Sequence, residues 1–78
     1  MQGEIDIIAR EEHTLVFVEV KFRPFGHLGD GMAAITEKKR WRIRSAASWY
    51  MTQHPYSLVR FDAIEISAAG IRHIKNAF

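Results

Sequence analysis

Apolar and polar positions alternate near the start of the chain. In TLVFVEVKF (14–22), Val16, Val18 and Val20 share one side of a strand, and Leu15, Phe17, Glu19 and Lys21 share the other. EIDIIAR (4–10) is also strand-like, with Ile5, Ile7 and Ala9 opposed to Glu4, Asp6 and Ile8. The polar EEH between the two runs predicts a hairpin. The apolar faces coincide only if the valine row lies over Ile5, Ile7 and Ala9. The tightest register of that parity turns at Glu12 and His13, and sets Asp6 opposite Glu19 and Glu4 opposite Lys21. Glu-His lacks the Asn-Gly chemistry that two-residue hairpin turns prefer, so a longer loop or a bulge is the alternative.

The pattern then changes period. PFGHLGDG (24–31) holds one Pro and three Gly in eight residues and reads as a loop. Thr36 can cap a helix running to about His54, where Pro55 forbids easy continuation. Its inner face holds Ile43, Ala46, Ala47 and Tyr50 at the i, i+3, i+4, i+7 spacing. VRFDAIEI (59–66) is a third strand, and after the turn-like AAG a short IRHI (71–74) makes a fourth, at the sheet edge. The predicted order is ββαββ, an α/β sheet covered by at least one helix.

Composition narrows the function classes. With 78 residues, 47% hydrophobic and 26% charged, the chain makes one small globular domain. A domain of this size buries only roughly 60% of its unfolded surface, so the core is thin. No apolar run approaches the roughly 20 residues of a membrane-spanning helix. MQGEID has neither the basic start nor the apolar stretch of a signal peptide, which makes the cytoplasm the default location. Cysteine is absent, which removes disulfides, thiolate zinc sites and cysteine nucleophiles together. His13, His27, His54 and His73 never show the paired helical spacing of HExxH-type sites, and read as surface or loop residues. There is no internal repeat, domain linker, P-loop or dinucleotide fingerprint.

The predicted hairpin brings charge together. Two carboxylates directly opposite each other repel, a penalty that a purely structural sheet would avoid. Lys21 supplies one compensating charge, yet Glu4, Asp6 and Glu19 leave an excess that suits a divalent metal with oxygen ligands. Without cysteine or clustered histidine, Mg²⁺ or Mn²⁺ fits better than zinc. A Glu-x-Lys pair taken alone is more simply a solvated strand face with an ion pair worth ~0.5 kcal/mol. The Asp on the preceding strand, the shared face and the apolar neighbours are what point beyond that.

Asp6, followed by Glu19-Val20-Lys21 on the next strand, resembles the D…E-x-K core of the PD-(D/E)XK nuclease superfamily. GEIDIIA (3–9), FVEVKFR (17–23), the helix with Lys39, RFD (60–62) and the closing NAF (76–78) more closely resemble the YraN family of bacterial proteins. That family is related in fold to archaeal Holliday-junction resolvases. The resemblance implies a restriction-endonuclease-like mixed sheet and metal-dependent hydrolysis of DNA phosphodiester bonds, with branched, Holliday-junction-like DNA as one substrate class. It implies Asp6, Glu19 and Lys21 as catalytic residues. Asp6, Glu19 and the Val20 carbonyl would be metal ligands, with Glu4 as a further candidate. Lys21 would orient or activate the attacking water, or stabilise charge on the scissile phosphate. In related nucleases a helix precedes this core, whereas here Met1 stands two residues before GEID. The expectation is therefore a single nuclease-like domain over residues 1–78, N-terminally incomplete and lacking the usual N-terminal helix. An exposed edge or apolar surface left by such a loss would favour a homodimer.

TEKKRWRIR (36–44) offers a partner. Lys38/Arg42 and Arg40/Arg44 are like-charge pairs at i, i+4, and cations at a helix start oppose its dipole. Phosphates would neutralise that cluster, with Trp41 free to stack on a base. Lys39, which matches the family's helix lysine, is the first candidate for phosphate contact, with Lys38, Arg40, Arg42 and Arg23 beside it. Arg60 and Asp62 share a strand face and most simply pair with each other. Trp49 and Tyr50 read as core or dimer contacts. Two rival functions stand beside the nuclease: a non-catalytic nucleic-acid-binding module, and a structural or partner-binding domain whose charges are merely solvated.

Overall fold

The computed structural model describes residues 5–23, 35–56 and 58–78. The loop expected at 24–31, with His27, and the candidate ligand Glu4 lie outside the described residues. The elements are β1 (Ile7–Glu11), β2 (Thr14–Arg23), a helix α1 (Glu37–Met51), β3 (Leu58–Ser67) and β4 (Gly70–Ile74). The sheet order is β1-β2-β3-β4. The two hairpins pair antiparallel, and β2 pairs parallel with β3. The chain is therefore a mixed α/β sheet with one helix among the described residues, in the order ββαββ. Parallel pairing requires a crossover between β2 and β3, and α1 lies within it.

The β1–β2 register is Ile7↔Val18, Ala9↔Val16 and Glu11↔Thr14, as the apolar alternation requires. The turn is the tight one at Glu12 and His13. Glu12 takes φ 55, the left-handed region that such turns normally fill with Gly, Asn or Asp. The expected pairing fails at one point. β1 begins at Ile7, not at residue 4, because the chain bends at Asp6. The bend takes Ile5 away from the valine row and packs it against the cluster of Leu15, Phe17 and Ala47.

Thr36 caps α1 as expected: its Oγ1 accepts the Lys39 N–H at 3.2 Å, and Glu37 in the first turn suits the helix dipole. Ile43, Ala46 and Ala47 are buried. The helix ends at Met51, three residues before the expected His54. Thr52 closes it, its Oγ1 donating to the Trp49 carbonyl at 2.7 Å. Pro55 also disfavours helical backbone at the residue before it, so the ending begins upstream of the proline itself.

Strand partners share a face, so Leu15, Phe17, Val59 and Phe61 form the floor beneath α1. Phe17 is fully buried, stacked on Phe61 at 5.6 Å and edge-on to Tyr50 at 5.9 Å. Arg44, itself exposed, lies 5.0 Å over the Phe61 ring in a cation–π contact at the rim of the core. On the opposite face Arg60 forks onto Asp62 at 2.8 and 2.9 Å and reaches Glu11 at 2.8 Å. His73, on β4 and not in a loop, bonds the fully buried Asp62 at 2.8 Å, and the Asn76 N–H donates to the same carboxylate at 3.0 Å. No helix among the described residues is long and apolar enough to cross a membrane.

Candidate active site

Four of the residues singled out from the sequence converge at the open end of the hairpin, where β1 starts, beneath the first turn of α1. Glu19 and Lys21 lie on the helix-covered side of β2, continuing the row of Leu15 and Phe17 toward the strand end. The apolar row thus gives way to charge where the helix begins. Asp6 joins them because of the bend. Its Oδ2 accepts the Val20 N–H at 2.8 Å, a bond that a longer β1 would have filled from its own backbone. Alternate residues of β2 turn both backbone polar groups toward β1. Glu11 and Thr14 flank the two-residue turn as such a pair, so the Val20 carbonyl faces the side that β1 has left. The predicted ligands Asp6, Glu19 and Val20 are therefore neighbours.

Lys39 completes the group. Its Nζ lies 3.1 Å from Glu19 Oε2. The contact is an ion pair, and among the described residues the buried Glu19 Oε2 has no further partner. The sequence singled out Lys39 for phosphate contact. Its pairing with Glu19 needed the helix to be laid across the sheet, which no local pattern reveals. Thr36 fixes the placement, since the N–H it caps is that of Lys39 itself.

The electrostatics are those of two crowded acids and two crowded bases. Contact with Glu19 holds the Asp6 carboxyl below its ordinary value, opposing the effect of burial, with the Val20 N–H and both lysines adding to the lowering. Burial pushes Glu19 up, its contact with Asp6 pushes it further, and Lys39 opposes both. Lys21 is lowered by Lys39 first and then by burial. Lys39 is raised, by its contact with Lys21 and by Glu19.

The donor set fits a hard cation. Mg²⁺ keeps several waters and is commonly held by one or two carboxylates together with substrate phosphates. Two adjacent carboxylates, one with a buried oxygen that lacks a hydrogen bond, and a nearby backbone carbonyl match that description. No group of three or more His, Cys, Asp or Glu side chains able to hold a metal occurs among the described residues.

The remaining basic candidates are scattered around this centre. Lys38 and Arg42 are exposed, as is Trp41, which is 68% exposed. Arg40 is half-buried, 4.0 Å from Glu37, and its Nε is buried without a hydrogen-bond partner. Arg23 closes β2 with its Nη1 on the Phe22 carbonyl at 3.3 Å. Arg60 and Asp62 pair with each other as expected, on the far face of the sheet, and do not border the site.

A model of the uncharacterised protein family UPF0102 matches residues 1–66, which include Asp6, Glu19, Lys21 and Lys39. A UPF0102 protein of Geobacter metallireducens is 46% identical over 82 residues, covering 97% of this chain and 67% of that protein. One from Shewanella sp. (strain MR-4) is 42% identical over 77 residues, covering 97% and 71%. One from Pectobacterium carotovorum is 39% identical over 80 residues, covering 97% and 68%.

Proposed function

The chain belongs to the uncharacterised protein family UPF0102, and from that premise we propose that it is a metal-dependent endonuclease of the PD-(D/E)XK type. Its reaction is hydrolysis of DNA phosphodiester bonds, with branched DNA as one substrate class. The observation that carries this reading is the meeting of Asp6, Glu19, Lys21 and Lys39 at one end of the hairpin, with Asp6 on the Val20 N–H at 2.8 Å.

Asp6, Glu19 and the Val20 carbonyl would hold Mg²⁺ or Mn²⁺, which when bound polarises a phosphodiester and lowers the pKa of water. Lys21 orients the attacking water and offsets charge growing on the phosphate. Lys38, Arg40 and Arg42 line the approach from the helix and take flanking phosphates, whose neutralisation makes binding salt-dependent. Exposed Trp41 lies among them and offers a face for an unpaired base.

A second reading, a nucleic-acid-binding module that does not cleave, is favoured by one feature: Glu19 already has a cation 3.1 Å away in Lys39. Cleavage of a four-way junction and of linear duplex in Mg²⁺ or Mn²⁺ separates the two. The nuclease reading expects cleavage by the native chain and none by Asp6→Ala, Glu19→Ala or Lys21→Ala, each folded by circular dichroism. DNA affinity that survives Asp6→Ala, without cleavage by the native chain, would establish the binding module instead.

A further inference from the structure

Lys39 stands where a nuclease would least want a competing charge. Its ammonium is 3.1 Å from a carboxylate oxygen of Glu19, whose side chain is 6% exposed, while the lysine side chain keeps 35% of its surface in solvent. The Lys39 backbone is pinned by the Thr36 cap, so only the side chain is free to change partner. Among the described residues Glu19 Oε2 has no other partner, so its charge is met by the Lys39 ammonium at 3.1 Å. Lys21 crowds it from β2.

We propose that Lys39 is the built-in counter-ion of the site, which neutralises Glu19 before a divalent cation binds, is displaced by that cation, and then moves its ammonium to the substrate phosphate. Lys39 thereby sets the metal affinity of the site and couples metal binding to DNA binding. The inference rests on the nuclease reading above, and the two fail differently.

The test is calorimetric titration of Mn²⁺ at pH 8 into the native chain, Lys39→Met, Lys39→Arg and Lys75→Met. Removing a unit charge this close to the ligands should tighten Mn²⁺ binding by about tenfold in Lys39→Met. Lys39→Arg should restore the native affinity. Lys75→Met makes the same change in net charge at Glu11, away from the site, and should stay within about twofold. Junction affinity, read by fluorescence anisotropy with Ca²⁺ as the hard-cation probe, should fall about tenfold in Lys39→Met with Ca²⁺ present and change little without it. Lys39→Gln takes the place of Lys39→Met if the latter loses helix signal. Mn²⁺ binding that is unchanged or weaker in Lys39→Met overturns this inference and leaves the nuclease standing. Absence of Mn²⁺ binding in the native chain and every variant, at millimolar metal, overturns both.

Discussion

Asp62→Asn removes one charge from the most densely bonded buried group on the far face of the sheet. Burial alone would raise the Asp62 carboxyl, but the Arg60 fork, the Asn76 N–H and His73 outweigh it and hold the pKa at about 2. Against an ordinary value of 3.8, that lowering corresponds to ~2 kcal/mol of stability at neutral pH. The sign follows from the direction. A carboxyl with a lowered folded-state pKa stabilises above its unfolded value, and the contribution is lost as pH falls toward the folded value. The contribution is complete above about pH 5, roughly halved at pH 3 and mostly gone at pH 2. Asn keeps the shape and one acceptor but loses the charge that both the Arg60 fork and His73 address. The expected loss at pH 7 is ~2 kcal/mol, which at a urea slope of ~1 kcal/mol/M moves the midpoint down by ~2 M. It lowers Tm by about 8–16 °C in a domain of this size. The assay is urea unfolding followed by circular dichroism at a series of pH values, for the native chain and the variant. Equal midpoints at pH 7, or a difference that does not shrink on acidification, would refute the reasoning.

Three further outcomes are expected. Glu12→Asn relieves a left-handed position that Asn tolerates and Glu does not, and should raise stability by about 0.5–1 kcal/mol in the same urea assay. Thr36→Ala removes the cap on Lys39 and should cost ~1 kcal/mol, with larger amide shift changes at Glu19 than at any strand residue of similar distance from Thr36. Glu19 has its folded-state pKa raised, chiefly by burial, so its ionisation costs stability as pH rises from its ordinary value of 4.5 through the raised one. Glu19→Gln should remove that fall from the stability–pH curve while abolishing any response to Mg²⁺, a trade of function for stability.

The hairpin was legible in the sequence because period-two alternation leaves one register that sets both apolar rows on the same side, although Val16 and Val18 of β2 are buried while β1 stays exposed. The sequence also pointed to Asp6 beside Glu19, but the two are not ladder partners: β1 starts at Ile7, and the bend at Asp6 brings its carboxylate onto the Val20 N–H instead. The inner face of α1 was legible for the same reason at period 3.6, and the Arg60–Asp62 pair because both lie on one strand face. What escaped depends on contacts that alternation does not encode. Ile5 changes sides because Asp6 bends the chain to bond the Val20 N–H. The helix stops at Met51 because the Thr52 hydroxyl competes for the Trp49 carbonyl. His73 finds the buried Asp62 only through the β3–β4 register, which pairs Ile64 with His73 and sets the imidazole diagonally to the carboxylate. Lys39 was singled out for phosphate, but its pairing with Glu19 comes from the packing of helix on sheet, not from spacing along the chain.

The central claim, that Asp6, Glu19 and Val20 form a hard-cation site served by Lys21 and Lys39, is tested most directly by Mg²⁺ titration followed by NMR amide shifts. Asp6→Ala is the control. The expected result is a saturable set of shifts centred on Asp6, Glu19, Val20 and Lys39 that disappears in Asp6→Ala. Shifts that stay absent at millimolar Mg²⁺, or that persist unchanged in the variant, would contradict it.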